Sequence, residues 1–339
     1  MDRRTFVASG AAMMALATGL ATAQETDWAA VEAAAKQEGE LVFYASFLGA
    51  QFQLDIMNTF TEEYGIPVTL LDVRATELSE RIRTEYATGR VAGDVFWSGF
   101  SILAMVEAGM IANIGTLPNA ANIGADLRPL VTENYVPTHA GFYGIMVNTS
   151  QVSEADEPKS WADLLDPKWR GKILSDDMRA QGGGLNMFSA LYKALGREFH
   201  EELAKQEIVF SRDIGNDERR VGRGEFPLRI PQLYANMSQL EGLPVKFIMP
   251  TEGAPYTQGL MVALEGSPHP NAAKLFINHY LGNRVQSMLA ENGIRPAVDG
   301  LAESLTSETA RIAASVKLLG TTTPDITQDV LAISAEIYK

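Results

Sequence analysis

The chain has 339 residues, with 28 Lys or Arg, 42 Asp or Glu and four His, and its formal net charge is −14 at pH 7. It contains no Cys, which excludes a disulfide framework, thiolate metal ligands and a cysteine nucleophile. The negative charge argues against nucleic-acid binding, which needs clustered Lys and Arg. The composition, 46% hydrophobic and 21% charged, is that of a globular protein, and the length suggests about two domains.

Residues 1–23 are predicted to be an export signal. Arg3 and Arg4 give it a positively charged start, an apolar stretch rich in Ala follows, and residues 21–23 have the small-x-small pattern of a cleavage site. The paired arginines favour twin-arginine export, and an ordinary secretory signal is the alternative. We therefore expect cleavage near Ala23 and a mature protein in a bacterial periplasm.

The rest of the chain alternates between two kinds of apolar pattern. Short apolar runs typical of buried strands are followed by apolar stripes at helical spacing. This alternation predicts an α/β fold in which helices cover both faces of largely parallel sheets. The pattern restarts beyond Pro137, which favours two lobes of similar construction. The predicted strands are 41–44, 68–73, 95–97, 143–148, 172–174, 208–210, 244–249 and 259–264.

Three stretches resemble a known family. Residues 161–173 (WADLLDPKWRGKI), 93–99 (GDVFWSG) and 271–296 are similar to the extracellular solute-binding proteins of bacterial ABC importers. The most similar group includes the periplasmic binders of ferric iron, thiamine, polyamines and phosphonates. With the export signal, the resemblance covers essentially the whole chain.

The resemblance implies a two-lobe periplasmic-binding-protein fold of type II, with two or three extended segments crossing between the lobes. Lobe I would comprise residues 24–137 and 257–339, and lobe II residues 138–256. The ligand would be a small molecule bound between the lobes without catalysis, and the partners would be a membrane permease and its ATPase. The resemblance further implies a monomer without a cofactor.

In lobe I, the residues that follow the predicted strands are expected at the cleft, because ligands bind beside the carboxyl ends of parallel strands. These candidates are Tyr44, Ser46, Arg74, Ser98 and Gly99. Tyr44 is alternatively a core aromatic residue, and Arg74 alternatively forms an ion pair with a neighbouring acidic residue. Ser98 either faces the ligand or caps a helix, and both roles are compatible.

In lobe II, a glycine-rich loop joins a predicted strand to a helix. Its three glycines, 182–184, would let backbone amides approach a ligand closely, or they simply form a flexible start to the helix. The candidate site residues here are Gln181, Gly182 and Gly183. No Gly-Lys-Ser/Thr follows, which excludes a P-loop. Tyr143 lies on the predicted crossing segment, where it either points into the cleft or stiffens the hinge.

The stretch 224–235 bears on iron. In ferric-binding relatives, Gly-Glu is followed several residues later by two adjacent tyrosines that bind the metal, and counting from Gly224 places them at Tyr234 and Ala235. A methyl group cannot supply an anionic oxygen to a hard cation, so we expect no metal site of the usual kind. Tyr256 or a synergistic anion would have to compensate.

The arginines point to the charge of the ligand. Arg229 replaces a usually apolar residue in this stretch and either adds positive charge to the pocket or forms a surface ion pair. Together with Arg74 and Arg179 it favours an anionic ligand, namely a carboxylate, phosphonate or phosphate ester, because the guanidinium fork binds two oxygens at once. Ferric iron, bound directly or with a synergistic anion, and presentation of the ligand to a membrane sensor are the alternatives.

An enzyme is the main competing class of function. The four histidines are scattered without metal-ligand spacing, and no Gly-x-Ser-x-Gly elbow occurs. The sequence therefore predicts a binding protein.

Overall fold

A computed structural model describes residues 27–46, 51–301 and 304–339. The predicted export signal lies outside these residues. The described part of the chain forms ten α-helices and 11 β-strands. The helices are α1 (Trp28–Glu38), α2 (Gln51–Tyr64), α3 (Ala75–Thr88), α4 (Leu103–Glu107), α5 (Gly183–Ala204), α6 (Ile214–Gly222), α7 (Pro270–Tyr280), α8 (Asn283–Glu291), α9 (Glu308–Ser315) and α10 (Thr327–Ile337). The strands are β1 (Leu41–Ala45), β2 (Val68–Asp72), β3 (Val95–Ser98), β4 (Tyr135–Asn148), β5 (Ile173–Asp176), β6 (Val209–Ser211), β7 (Leu228–Leu233), β8 (Val245–Ile248), β9 (Ala254–Ala263), β10 (Arg295–Pro296) and β11 (Leu318–Gly320).

The first strands and helices form where the sequence pattern predicts them. In α2 the fully buried Ile56 and Phe60 lie four residues apart and pack into the core, as an amphipathic helix requires. The ring of Phe60 meets that of Phe276 from α7 at a centroid distance of 5.1 Å, and Phe43 of β1 meets Phe276 at the same distance. Helices thus cover the sheet of lobe I through interlocking aromatic contacts.

The sheet of lobe I brings three strand ends to one edge. β1 lies between β2 and β3 and is parallel to both, and β9 pairs antiparallel with β3. The carboxyl ends of β1, β2 and β3 therefore share an edge, at which Ser46, Arg74 and Gly99 follow their strands. This edge is where an α/β sheet binds its ligands.

β4 connects the two lobes. Its residues 135–142 pair with β9, whereas its residues 143–148 pair with β7 and β8. β5 lies parallel to β6 and β7 and completes the sheet of lobe II, whose core surrounds the fully buried Trp161. The predicted boundary at Pro137 falls inside β4, and the change of partners occurs five residues later. The residues of β4 are buried along nearly its whole length, in both lobes.

The C-terminal segment, residues 318–339, departs from the predicted division. We expected residues 257–339 to lie in lobe I, but α10 packs on the core of lobe II. Ser334 Oγ donates to the carbonyl oxygen of Met178 at 2.8 Å, and the hydroxyl of Tyr338 lies 2.8 Å from His200 Nδ1. The physical reason is the apolar face of α10, where Val330, Ile333 and Ile337 pack against the hydrophobic core of lobe II. The segment is thus a third crossing, after β4 and β9.

Within the described residues, no helix is both long and apolar enough to cross a bilayer.

Candidate ligand-binding site

A cavity of about 430 Å³ lies between the lobes. The crossing strand β9 forms part of its wall with Thr257 and Gln258, and the C-terminal segment adds further residues. Among the described residues that line it, no side chain is charged. The two lobes contribute Gly99 and Ser101 on one side and Gln181, Gly182 and Asn186 on the other.

The lobe I wall starts where β3 ends. Ser98 is buried, and its hydroxyl lies 2.7 Å from the hydroxyl of Ser101, which lines the cavity. Gly99 precedes a short 3₁₀ helix that leads into α4. The loop is therefore held by its own serines and presents a hydroxyl and backbone groups to the cavity.

The lobe II wall is the start of α5. Asp176 at the end of β5 accepts hydrogen bonds from the amides of Gly184 at 2.7 Å and Asp177 at 3.1 Å. A Cβ at Gly184 would lie 2.6 Å from the carbonyl oxygen of Asp176, and Gly182 has a φ of 150°, so both positions require glycine. The glycine-rich loop therefore serves to bring the helix start close to β5, and it places Gly182 at the cavity.

The C-terminal segment closes the cavity from a third side. The hydroxyl of Thr322 donates to the carbonyl oxygen of Leu185 at 3.1 Å, which fixes the segment on the first turn of α5. Two buried oxygens beside this cavity have no hydrogen-bond partner, namely Thr321 Oγ1 and Gln258 Oε1. Buried acceptors without partners are uncommon in folded proteins, and here a bound solute with N–H or O–H groups would satisfy them.

A second, smaller cavity of about 60 Å³ lies in lobe II. Tyr143, Gly183 and Arg229, three of the predicted site residues, line it. Burial lowers the pKa of Arg229, and the nearby carboxylates of Glu218 and Asp176 oppose this effect. Burial also raises the pKa of Tyr143, so its hydroxyl stays protonated and able to donate.

The structure thus divides the predicted site residues into groups. Gly99, Gln181 and Gly182 line the interlobe cavity, and Ser98 supports its wall. Ser46 and Arg74 lie at the same sheet edge, where Arg74 is exposed and has no side-chain hydrogen bond with any described residue.

Tyr44 does not face the cleft. Its side chain is buried in the core of lobe I, where the hydroxyl donates to Glu85 at 2.7 Å and accepts from Arg81 Nε at 3.1 Å. Burial and the carboxylate of Glu85 raise the pKa of Tyr44 to about 12. The expectation of a cleft role is therefore corrected: the ring fills the space that Gly93 leaves open, since a Cβ there would lie 2.4 Å from it.

The other two tyrosines lie apart from each other. Tyr234 stacks on Phe142 at a centroid distance of 5.0 Å and meets Phe247 at 4.8 Å. Tyr256 lines a separate cavity of about 430 Å³ between α5 and the C-terminal segment. The described residues contain no group of three or more His, Asp or Glu that could hold a metal ion.

Arg179 has its own partners in lobe II. It forms an ion pair with Asp177 at 2.8 Å and lies over the ring of Phe210 at 4.6 Å. Of the three arginines that suggested an anionic ligand, Arg229 lines the small cavity of lobe II.

Sequence reasoning missed several residues that line the interlobe cavity, namely Ser101, Asn186, Thr257, Gln258, Thr321 and Thr322. Ser101 and Asn186 each lie within a few residues of a predicted site residue, so a wider window after the strands would have included them. The residues of β9 and the C-terminal segment carry no local signal, because they reach the cavity only through the crossing of the lobes.

The comparisons with known proteins identify the family and the fold of this chain. The sequence pattern of the bacterial extracellular solute-binding proteins matches residues 93–315, about two thirds of the chain. The chain belongs to this family. The protein is therefore a solute-binding protein of bacterial ABC transport, and its partners are a small molecule and an ABC permease. The family and the structural neighbours are binding proteins rather than enzymes.

Individual relatives are distant. A Salmonella paratyphi A protein named "Putative 2-aminoethylphosphonate-binding periplasmic protein" is 27% identical over 255 residues, which cover 71% of each chain. Among solved structures, the Trichodesmium protein IdiA (FutA) in complex with iron and citrate has a TM-score of 0.72 at 18% identity, covering 89% of this solute-binding protein and 100% of that chain. The open ferric iron-binding protein A of Mannheimia haemolytica has a TM-score of 0.72 at 17% identity, with 88% and 98% covered. These structures confirm the predicted two-lobe α/β fold.

Proposed function

We propose that the protein captures a small solute bearing an oxyanion in the periplasm and delivers it, as a monomer, to the permease of an ABC importer. The solute is a phosphonate, a phosphate ester or a carboxylate. Export through the signal in residues 1–23 is part of this proposal.

One observation carries the proposal: a single cavity has walls from both lobes. A solute that contacts Ser101 and Gln181 together binds the closed arrangement of the lobes better than an open one. Shifting the population from 1:99 to 99:1 needs roughly 5.5 kcal/mol of such preference. Two or three charge-assisted hydrogen bonds made only on closure, each of about 1.5–3 kcal/mol, are sufficient.

The lining supports a small polar solute with negative charge. The volume of about 430 Å³ lies within the usual range of small-molecule sites. The start of α5 adds backbone N–H groups to this uncharged wall; Asp176 accepts that of Gly184, and the other N–H groups of the first turn are left for an anion. The Salmonella relative named for 2-aminoethylphosphonate makes a phosphonate the first solute to test.

Direct iron binding finds less support in this arrangement. Tyr234 packs between two phenylalanines, and Tyr256 faces a different cavity. Ala235 supplies no ligand, so the two adjacent phenolates of the usual dyad are not available.

Isothermal titration calorimetry with a panel of solutes tests the proposal. The panel comprises 2-aminoethylphosphonate, methylphosphonate, inorganic phosphate, citrate, ferric citrate, putrescine and thiamine. We expect binding of at least one oxyanion, recovery of the solute unchanged, and no visible charge-transfer band with ferric citrate. Binding of putrescine or thiamine alone, or a coloured ferric complex, would overturn the assignment to oxyanions.

A further inference from the structure

The small cavity of lobe II lies at the carboxyl edge of its sheet. Asp176 ends β5, Gly183 and Ile214 begin α5 and α6, and Arg229 belongs to β7. Tyr143 of the crossing strand β4 forms another part of the wall. This is the position at which parallel strands and helix starts converge on ligands.

Arg229 is buried beside this cavity with one edge of its guanidinium group unpartnered. Its side chain is 2% exposed, and Nη1 donates to the carbonyl oxygen of Pro231 at 2.6 Å and to Gln232 Oε1 at 2.9 Å. Nε is buried without a hydrogen-bond partner, and Nη2 has no hydrogen bond or ion pair with any described residue. The Nε–Nη2 edge is the one with which arginine binds carboxylate or phosphate oxygens in pairs.

The neighbouring carboxylates do not satisfy this edge. Asp176 accepts the amides of Gly184 and Asp177, as described above. Glu218 accepts from Gln232 Nε2 at 2.9 Å and from Asn236 Nδ2 at 2.8 Å. Asp217, the third carboxylate near Arg229, accepts from Arg220 Nη1 at 3.2 Å. All three carboxylates act on Arg229 only at longer range, so the guanidinium group stays charged while its fork lacks oxygen acceptors.

We propose that the Nε–Nη2 edge of Arg229 binds the oxyanion of the transported solute in this lobe II cavity. The inference rests on the proposed function and adds a specific subsite to it. A cavity of about 60 Å³ has room for about four waters, and hence for one carboxylate or phosphonate group. The rest of the solute extends past Gly182 into the interlobe cavity, and Tyr143, whose ring and hydroxyl lie beside Gly183, borders this path.

Arg229→Lys is the direct test, because lysine keeps the positive charge and loses the planar fork. For 2-aminoethylphosphonate and methylphosphonate we expect binding about 10- to 100-fold weaker than in the wild type, measured by calorimetry. The matched control is Arg295→Lys. Arg295 is also buried, at 6% exposure, with an unpartnered Nε, but it lies in lobe I away from both cavities, and we expect its variant to bind like the wild type.

Gly183→Ala tests the same cavity without altering Arg229, and it decides the question where Arg229→Lys fails to fold. A Cβ at Gly183 would lie 3.2 Å from the ring and hydroxyl of Tyr143, which narrows the cavity, and alanine suits a helix start. We expect at least fivefold weaker binding of both phosphonates. Acetate and inorganic phosphate are titrated alongside. The one that binds the variants more weakly than the wild type shows whether the cavity takes a carboxylate or a phosphate-type group.

The outcomes separate the two proposals. If the wild type binds an oxyanion and the folded variants bind it equally well, the Arg229 subsite is wrong and the proposed function stands. If the wild type binds none of the oxyanions, both proposals fall.

Discussion

The hydroxyl of Tyr44 donates a hydrogen bond of 2.7 Å to the carboxylate of Glu85, which joins the end of β1 to α3 in the core of lobe I. Arg81 Nε contacts both partners, at 3.1 Å from the Tyr44 hydroxyl and 2.8 Å from Glu85 Oε1. Although β1 ends at the cleft, the side chain of Tyr44 therefore points into the core, where its role is structural.

Tyr44→Phe should therefore lower stability and leave binding unchanged. The variant removes one buried hydrogen bond and leaves Glu85 with Arg81, so we expect a loss of about 1–2 kcal/mol in the free energy of unfolding. Urea unfolding measures this loss, and calorimetry with 2-aminoethylphosphonate measures affinity. A more than tenfold loss of affinity in the folded variant would show that Tyr44 takes part in ligand binding.

Gln258→Leu should have opposite effects on stability and affinity. Leucine has a similar size and removes the buried Oε1 that lacks a partner, so the unliganded protein should gain about 1 kcal/mol. If the solute donates a hydrogen bond to Gln258, its affinity should fall about tenfold. Gln206→Leu is the matched control, because Gln206 Oε1 is also unpartnered and lies outside the cavity. If Gln258→Leu and Gln206→Leu bind the solute with the same affinity, Gln258 does not contact it.

Burial lowers the pKa of three histidines, His139, His200 and His279, and this makes stability depend on pH. Burial lowers the pKa of His139 to about 4 and that of His200 to about 3. The unfolded chain, with a histidine pKa near 6.5, binds more protons than the folded one below that pH. The contribution of each neutral, buried histidine to the free energy of unfolding is therefore present above the unfolded pKa of about 6.5. It is lost as the pH drops toward 4, by about 2 kcal/mol per histidine between pH 7 and 5.

His139→Gln checks this prediction. His139 stacks on Trp97 at a centroid distance of 5.3 Å and does not form an ion pair with any described residue, so the variant removes a titrating group without removing a charge pair. Urea unfolding at pH 7 and pH 5 should show a smaller difference for the variant than for the wild type. An identical difference would mean that His139 is not buried in its neutral form.

Arg74→Ala should change affinity by less than about threefold at physiological salt. Arg74 is exposed at the end of β2, two strands and roughly 10 Å from the end of β3 at the cavity, and salt screens exposed charges over about 8 Å. Calorimetry at two salt concentrations tests this. A loss above tenfold that persists at high salt would place Arg74 in contact with the solute.

The sequence allowed much of the fold to be predicted because its signals are local. The apolar run of residues 41–44 became β1, and the stripe containing Ile56 and Phe60 became α2, since burial of one helix face needs only the periodicity of the chain. The resemblance added the two-lobe arrangement, which the structural neighbours confirm.

The parts that the sequence did not predict depend on contacts between distant segments. The apolar face of α10 predicts that this helix is covered, but nothing local tells which lobe covers it. Likewise, Arg229 lies in β7 and is buried beside a cavity. Arg179 follows β5 and is paired with Asp177. The partners of a long charged side chain are set by the tertiary fold, and the residues adjacent in sequence do not reveal them.

Small-angle X-ray scattering of the protein with and without 2-aminoethylphosphonate tests most directly whether the two lobes shut on an unaltered solute. At a saturating concentration established by calorimetry, the radius of gyration should decrease, and mass spectrometry should recover the phosphonate intact. An unchanged radius of gyration with every oxyanion that binds, or a solute recovered in altered form, would contradict the account.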